Sequence, residues 1–178
     1  MSNAEPLCAR CARHMKTCCQ TREIYVTPGD VERIAEYSGR RHIYVHRVPD
    51  DPSYLDQDGD PAWRDHVFRA DGTRRVLRRR AGGDCQFLGS AGCVLPTEVR
   101  PLVCRIYPYD YTEEGLQDEL AAGCPLELLP AGQGLIEALD MRWRDAARWH
   151  RQLYEEIREE GPAHRFGRPQ PSEPSNTV

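Results

Sequence analysis

Apolar positions recur at spacings of three and four toward the C-terminal end, through Leu135, Leu139, Trp143, Ala146, His150, Leu153 and Ile157, while charged residues fill the opposite face. That period predicts one long amphipathic helix over about 135–160, laid across the rest of the chain by its apolar stripe. Packing is favoured over dimerisation as the use of that stripe. A second helix is announced by Thr27-Pro28-Gly29-Asp30, which supplies a threonine cap, a proline at the first helical position and an acid three residues after the cap. Val31, Ile34 and Ala35 make its buried face, and Gly39 ends it in a left-handed turn. Pro101 opens a short helix that Pro108 stops, which puts Cys104 and Arg105 on one or two turns.

Period-two signals are weaker. Val67 and Phe68 on one side of Asp71-Gly72, and Val76 and Leu77 on the other, predict a single β-hairpin that delivers Cys85. The Asp- and Pro-rich stretch 48–61 reads as surface loop. Its Asp56-Gln57-Asp58-Gly59-Asp60 run fails as a calcium loop, since the first and last ligand positions would fall on Tyr54 and Asp65. The segment up to Gln20 has little periodicity and reads as a ligand loop. Gly161 to Val178 holds four prolines and no apolar period, and is expected to be disordered. The fold class is therefore α+β, mainly helical and irregular, with one hairpin and a long C-terminal helix. A single domain over 1–160 is followed by the tail 161–178.

Composition adds a constraint on stability. Only 39% of the 178 residues are hydrophobic, with three Phe and three Met, so metal cross-links are expected to supply stability that packing does not. The formal charge of −4 argues against a general nucleic-acid or membrane-surface binder. Arg74, Arg75, Arg78, Arg79 and Arg80 form a local basic run. Lys16 is the sole lysine, so arginine is this protein's usual cation, and the run reads as a solvated strand face in preference to an anion site. No basic region followed by an apolar stretch opens the chain, and no run approaches the ~20 apolar residues of a membrane span. The compartment expected is the cytoplasm.

Chemistry is concentrated in eight cysteines that fall in two clumps: Cys8, Cys11, Cys18 and Cys19, then Cys85, Cys93, Cys104 and Cys124. Thiolates gathered from several points of a chain are what a soft metal or an iron-sulfur cluster requires. A disulfide framework is the competing use of an even cysteine count, and a reducing cytoplasm disfavours it. Cys8 and Cys11 form a C-x-x-C chelating turn. Adjacent side chains diverge, so Cys18 and Cys19 suit two metals, or two corners of a polynuclear centre, better than one ion. Eight sulfurs make either two four-cysteine sites or one site with spare thiols.

A four-thiolate zinc site is closed and structural, whereas an iron-sulfur centre would make the chain a redox protein or an enzyme. The spacing does not match the compact ferredoxin run. His14 is a candidate ligand or base if it is not merely solvated, and His150 on the apolar stripe is a packing residue. Arg100 and Arg105 either donate to metal-bound thiolates or make salt bridges on a helix surface. No nucleophile, base and orienter set appears, and no phosphate loop, so no catalytic residue is assigned. The reading is a protein chelating zinc (Zn2+) or iron through clustered thiolates. The alternatives are an iron-sulfur redox protein or enzyme, and a partner-binding module stabilised by structural zinc.

Cys8-Ala9-Arg10-Cys11, Cys18-Cys19, Cys85-Gln86-Phe87-Leu88, Gly92-Cys93-Val94-Leu95 and Arg100-Pro101-Leu102-Val103-Cys104-Arg105-Ile106-Tyr107-Pro108 together resemble the YkgJ-type cysteine-cluster family, from about Cys8 to Cys124. The Arg-Pro-x-x-Cys-Arg segment is the most specific part. The resemblance implies a zinc- or iron-chelating domain, similar to one in a flagellin lysine N-methylase family. In that family the double cysteine follows the first pair more closely, whereas here residues 12–17 separate Cys11 from Cys18.

Overall fold

The computed structural model describes residues 7–14, 16–56 and 58–161. Its N-terminal cysteine segment, expected as a loop, is helical: α1 spans Leu7–His14 and the single turn α2 spans Cys18–Thr21. Leu7 and Cys11, one turn apart, are both buried, so a cysteine serves as an apolar position and hides the period. Helix α3, Pro28–Ser38, forms as the capping pattern predicts. Thr27 Oγ1 accepts from the Asp30 N–H at 2.9 Å, and Asp30 Oδ2 accepts from the Thr27 N–H at 3.2 Å. Gly39 closes the helix at φ 68°.

Strand β1 is Tyr44–Arg47, helix α4 is Pro61–Val67 and strand β2 is Arg74–Leu77. Here the predicted hairpin is corrected. A turn does form at Asp71-Gly72, with Gly72 at φ 77° and Arg69 N–H donating to Thr73 O at 2.8 Å. Val67, however, ends α4, and β2 pairs antiparallel with β1 in the register Tyr44↔Leu77 to Arg47↔Arg74. Asp60 caps α4 by accepting from the Trp63 N–H at 3.0 Å, Pro61 starts it, and Ala62, Trp63 and Val67 bury one helical face. A capped start and a helical burial period outweigh the β-propensity of Val67 and Phe68. The Asp-rich loop thus ends on a buried carboxylate, Asp60.

Strands β3, Leu88–Gly89, and β4, Gly92–Cys93, make a minimal hairpin, followed by helix α5, Leu102–Ile106. Strands β5, Tyr109–Thr112, and β6, Gly115–Leu120, pair antiparallel. This hairpin carries no clear alternation, since most of β6 is exposed.

The C-terminal helix expected from Leu135 is two helices, α6 at Leu135–Ala138 and α7 at Trp143–Glu159. Asp140 takes a left-handed conformation, φ 50°, with its N–H donating to Glu137 O at 3.0 Å and the Met141 N–H to Ile136 O at 2.9 Å. Those two bonds are a Schellman termination, closed without glycine because aspartate tolerates the left-handed region better than most residues. Leu135, Leu139 and Trp143 keep the four-residue spacing across this break, so the pattern alone conceals it. The tail beyond Gly161 lies outside the described residues.

Two apolar clusters hold these elements together. One joins α4, α5 and α7 through Trp63, Val67, Leu102, Ile106, Trp149, Leu153 and Ile157. The other packs Ile34, Ile43, Leu77, Phe87, Leu88 and Leu95 around Cys85. Each fully buried aliphatic side chain contributes about 1.5–3 kcal/mol. The clusters are linked by Asp30, fully buried, whose two oxygens also accept from the Leu102 N–H at 3.1 and 3.3 Å. One carboxylate therefore caps both α3 and α5. Among the described residues no helix is long and apolar enough to cross a membrane.

Candidate metal centre

Long-range bonds tie several of the cysteine-bearing segments together. Helix α1 is fastened by Arg10, whose Nη1 donates to Leu128 O at 2.8 Å, just beyond Cys124-Pro125. Helix α2 starts where the Gln20 side-chain oxygen accepts from the Thr17 N–H at 3.0 Å. It is then tied to the Cys85 loop: the Cys85 N–H donates to Cys19 O at 2.7 Å, and Gln20 Nε2 donates to Asp84 Oδ1 at 3.2 Å. Cys93 lies on β4 opposite Leu88, and Cys104 is in the middle of α5. Gly92 sits at φ 98°, and a Cβ there would lie 3.8 Å from Cys8 Cβ, so this turn brings β4 against α1.

The thiols interact in two groups. Cys8, Cys11, Cys18 and Cys124 repel one another's charged forms, and Cys19, Cys85, Cys93 and Cys104 do the same. Cys18 and Cys19, neighbours on α2, are hydrogen bonded to each other through their side chains, and Cys18 acts on thiols of both groups. Cys18 also lies close enough to Cys104 to raise it, so the groups adjoin.

Burial is the main cause of raised thiol pKa at Cys8, pushed to about 11, and at Cys11, Cys85, Cys104 and Cys124. Cys8 and Cys18 are exposed by surface area, yet protein surrounds their sulfurs on enough sides to disfavour charge. Cys18 is moved the other way, chiefly by the hydrogen bond from Cys19, and Cys19 rises as the partner that keeps its proton. Tyr107 Oη lies 3.4 Å from Cys124 Sγ.

Soft sulfur donors in two groups of four fit zinc or iron by number and type. Among the described residues no three His, Cys, Asp or Glu side chains converge closely enough to enclose an ion as they stand. Closing either group requires the thiols to turn. Positive charge is at hand to offset thiolates: Arg100 beside Cys8, Arg22 beside Cys18, and Arg79 and Arg80 beside Cys85.

The basic run is a solvated face only in part, since Arg78 and Arg80 are exposed and the others are not. Arg74 is 2% exposed, pairs with Glu23 at 3.2 Å and lies over the Tyr54 ring. Arg75 pairs with Glu160, Arg80 donates to carbonyls of the loop that carries Cys85, and Arg79 donates to Gly83 O of that loop and to Gln20 O of α2. Strand alternation is lost because the long side chains of both faces fold back onto carbonyls and carboxylates. Arg105 is buried, donating from Nε to Arg100 O at 2.6 Å and pairing with Glu98 at 3.5 Å. Arg100 donates to Leu95 O at 2.9 Å. His14 is turned outward to Glu127 at 2.9 Å, and buried His150 bonds Thr112 O at 2.7 Å as a packing residue. Sequence reasoning missed Tyr107 and Arg22. Arg22 follows Cys18 by four positions and was open to detection by helical spacing, whereas nothing in the spacing links Tyr107 to Cys124.

The family named CxxCxxCC, described as "Putative zinc- or iron-chelating domain", matches residues 7–125. The chain belongs to this family, and metal chelation is the function that its description gives. No curated protein and no solved structure matches the chain. The family's printed pattern, started at Cys8 and Cys11, would put the double cysteine at positions 14 and 15, where this chain has His14 and Met15. Here the pair stands four residues later, at the start of α2.

Proposed function

We propose that the chain binds two ions of zinc or iron, one held by Cys8, Cys11, Cys18 and Cys124 and the other by Cys19, Cys85, Cys93 and Cys104. What supports this reading is that Cys8, Cys11 and Cys124 all respond to Cys18, while Cys85 acts on both Cys19 and Cys104, with Cys18 at the junction because it acts on Cys104 as well. A divalent ion with four thiolates bears a net charge of −2, and the neighbouring guanidiniums of Arg22, Arg79, Arg80 and Arg100 offset it. Bound metal supplies cross-links between α1, α2, α5 and the loops at Cys85 and Cys124. The role is structural chelation, and no catalytic residue is assigned.

The test is elemental analysis for zinc and iron, with acid-labile sulfide and an absorption spectrum, on protein purified without oxygen. Two equivalents are expected in the unaltered chain, one in Cys11→Ser and one in Cys85→Ser. A single equivalent, or loss of all metal in both variants, refutes two independent centres. Labile sulfide with broad visible absorption replaces the mononuclear reading by an iron-sulfur one.

A further inference from the structure

Where α7 begins, Arg142, Arg144, Asp145, Arg148 and Arg151 line a surface pocket of about 430 Å³. Arg144, Arg148 and Arg151 are spaced by four and three on one helix and so share a face. Four guanidiniums thus meet two carboxylates, Asp145 in the lining and Glu98 beside it. Arg148 is engaged by Glu98 at 3.1 Å and more distantly by Asp145 at 3.9 Å. The side chains of Arg142, Arg144 and Arg151 make no hydrogen bond or ion pair among the described residues. Several other arginines are tied up, as at Arg33, Arg74, Arg75, Arg79 and Arg105.

This arrangement is electrostatically unfavourable on its own. Arg142 and Arg144 stand at the positive end of a 17-residue helix that has no side-chain cap, with Asp145 as the one acid of its first turn, and the like charges at 144 and 148 repel. An anion reverses both effects. We propose that the pocket is a binding site for a compact polyanion of the diphosphate class, held by the paired N–H donors of Arg144, Arg148 and Arg151. Guanidinium forks match phosphate oxygens two at a time, and the volume falls within the ~300–1,000 Å³ of small-molecule sites. No apolar or aromatic residue lines the pocket, so the phosphates themselves are what is recognised. A long nucleic acid is disfavoured by the formal charge of −4. Asp145 opposes the bound charge and limits affinity. The site is independent of the thiol centres.

The experiment titrates the full-length, metal-loaded protein with pyrophosphate, with orthophosphate and sulfate as comparison anions, at low and physiological ionic strength. Calorimetry is read together with the emission of Trp143 and Trp149, since the Arg148 guanidinium lies 5.3 Å from the Trp149 ring centre. Saturable binding is expected for pyrophosphate, tighter than for either comparison anion. Arg144→Ala with Arg151→Ala should weaken it by about tenfold or more, from the loss of charged hydrogen bonds. Arg144→Lys with Arg151→Lys should recover part of the loss, and Asp145→Asn should tighten binding. Both arginines are exposed, so the double variant is expected to keep its fold, checked by circular dichroism. Absence of saturable binding at physiological ionic strength overturns the proposal. So does pyrophosphate binding that is unchanged in the double alanine variant, including heat that tracks metal extraction measured before and after titration.

Discussion

Replacing Asp30 by alanine tests whether the cysteine-bearing α5 is anchored from α3. The side chain is fully buried and accepts from the backbone of Thr27 at 3.2 Å and of Leu102 at 3.1 Å, and from Arg33 Nη2 at 2.7 Å. Alanine leaves two buried N–H groups without partners, at about 1–3 kcal/mol each. Arg33 is not orphaned, because Glu156 still accepts from it at 2.6 and 3.1 Å. Against this loss stands the cost of burying the carboxylate, which raises the Asp30 pKa even with Arg33 beside it. The net expectation is a loss of about 2–4 kcal/mol, a large share of the ~5–15 kcal/mol that holds a typical domain together. Asp30→Asn keeps an acceptor for the N–H groups but turns a donor toward Arg33, and should cost about half as much. The assay is equilibrium unfolding in guanidinium of reduced, metal-free protein, followed by metal affinity measured under folding conditions. Because Cys104 lies two residues beyond Leu102, the variant should also bind metal more weakly. A cost under about 1 kcal/mol for the alanine variant would refute the double-cap account.

Other expectations follow from the same structure. Tyr154→Phe removes the hydroxyl that donates to buried Asp60, and thermal melts should report a loss of about 1–3 kcal/mol. Gly92→Ala forces a side chain into φ 98° beside Cys8, costing about 1–2 kcal/mol, and should weaken metal retention more than Gly72→Ala, whose turn at φ 77° faces open space. The raised thiol pKa values give a pH dependence of definite sign. An acid raised in the folded state favours folding fully below its unfolded pKa, near 9.0, and loses that contribution as pH climbs through the folded value, about 11 for Cys8. Metal-free protein should therefore lose stability between these values. Metal-loaded protein should instead gain affinity as pH rises from acid to neutral, because binding displaces thiol protons. Unfolding midpoints against pH that run parallel for the two forms would contradict this.

Local signals with a single physical meaning were legible in the sequence. Thr27-Pro28-Gly29-Asp30 and Gly39 specify both ends of α3, and Pro101 and Pro108 bracket α5, because caps and prolines act within a few residues. The cysteines stand out by type alone, and their family is legible in the Arg-Pro-x-x-Cys-Arg segment. What failed depended on distance along the chain. Strand β2 reads as half of a local hairpin, but its partner β1 lies some thirty residues earlier, and no residue near Asp71-Gly72 encodes that. The approach of Cys124 to Cys11 is hidden for the same reason, since it depends on the bond that ties α1 to the turn at Leu128. The arginine run was misread because chain spacing does not reveal which carbonyls a long side chain will reach.

Helix α7 lies wholly outside the span matched by the family, which ends at residue 125. Yet Leu153 and Ile157, fully buried, complete the apolar cluster that α5 and α4 begin. The chelating unit is thus modular in an incomplete sense: it brings its own chemistry but borrows its lid. Cut at residue 125, the chain would keep every cysteine and still leave the apolar side of α5 open to water, so the ligands and the core that steadies them are encoded in different stretches of sequence.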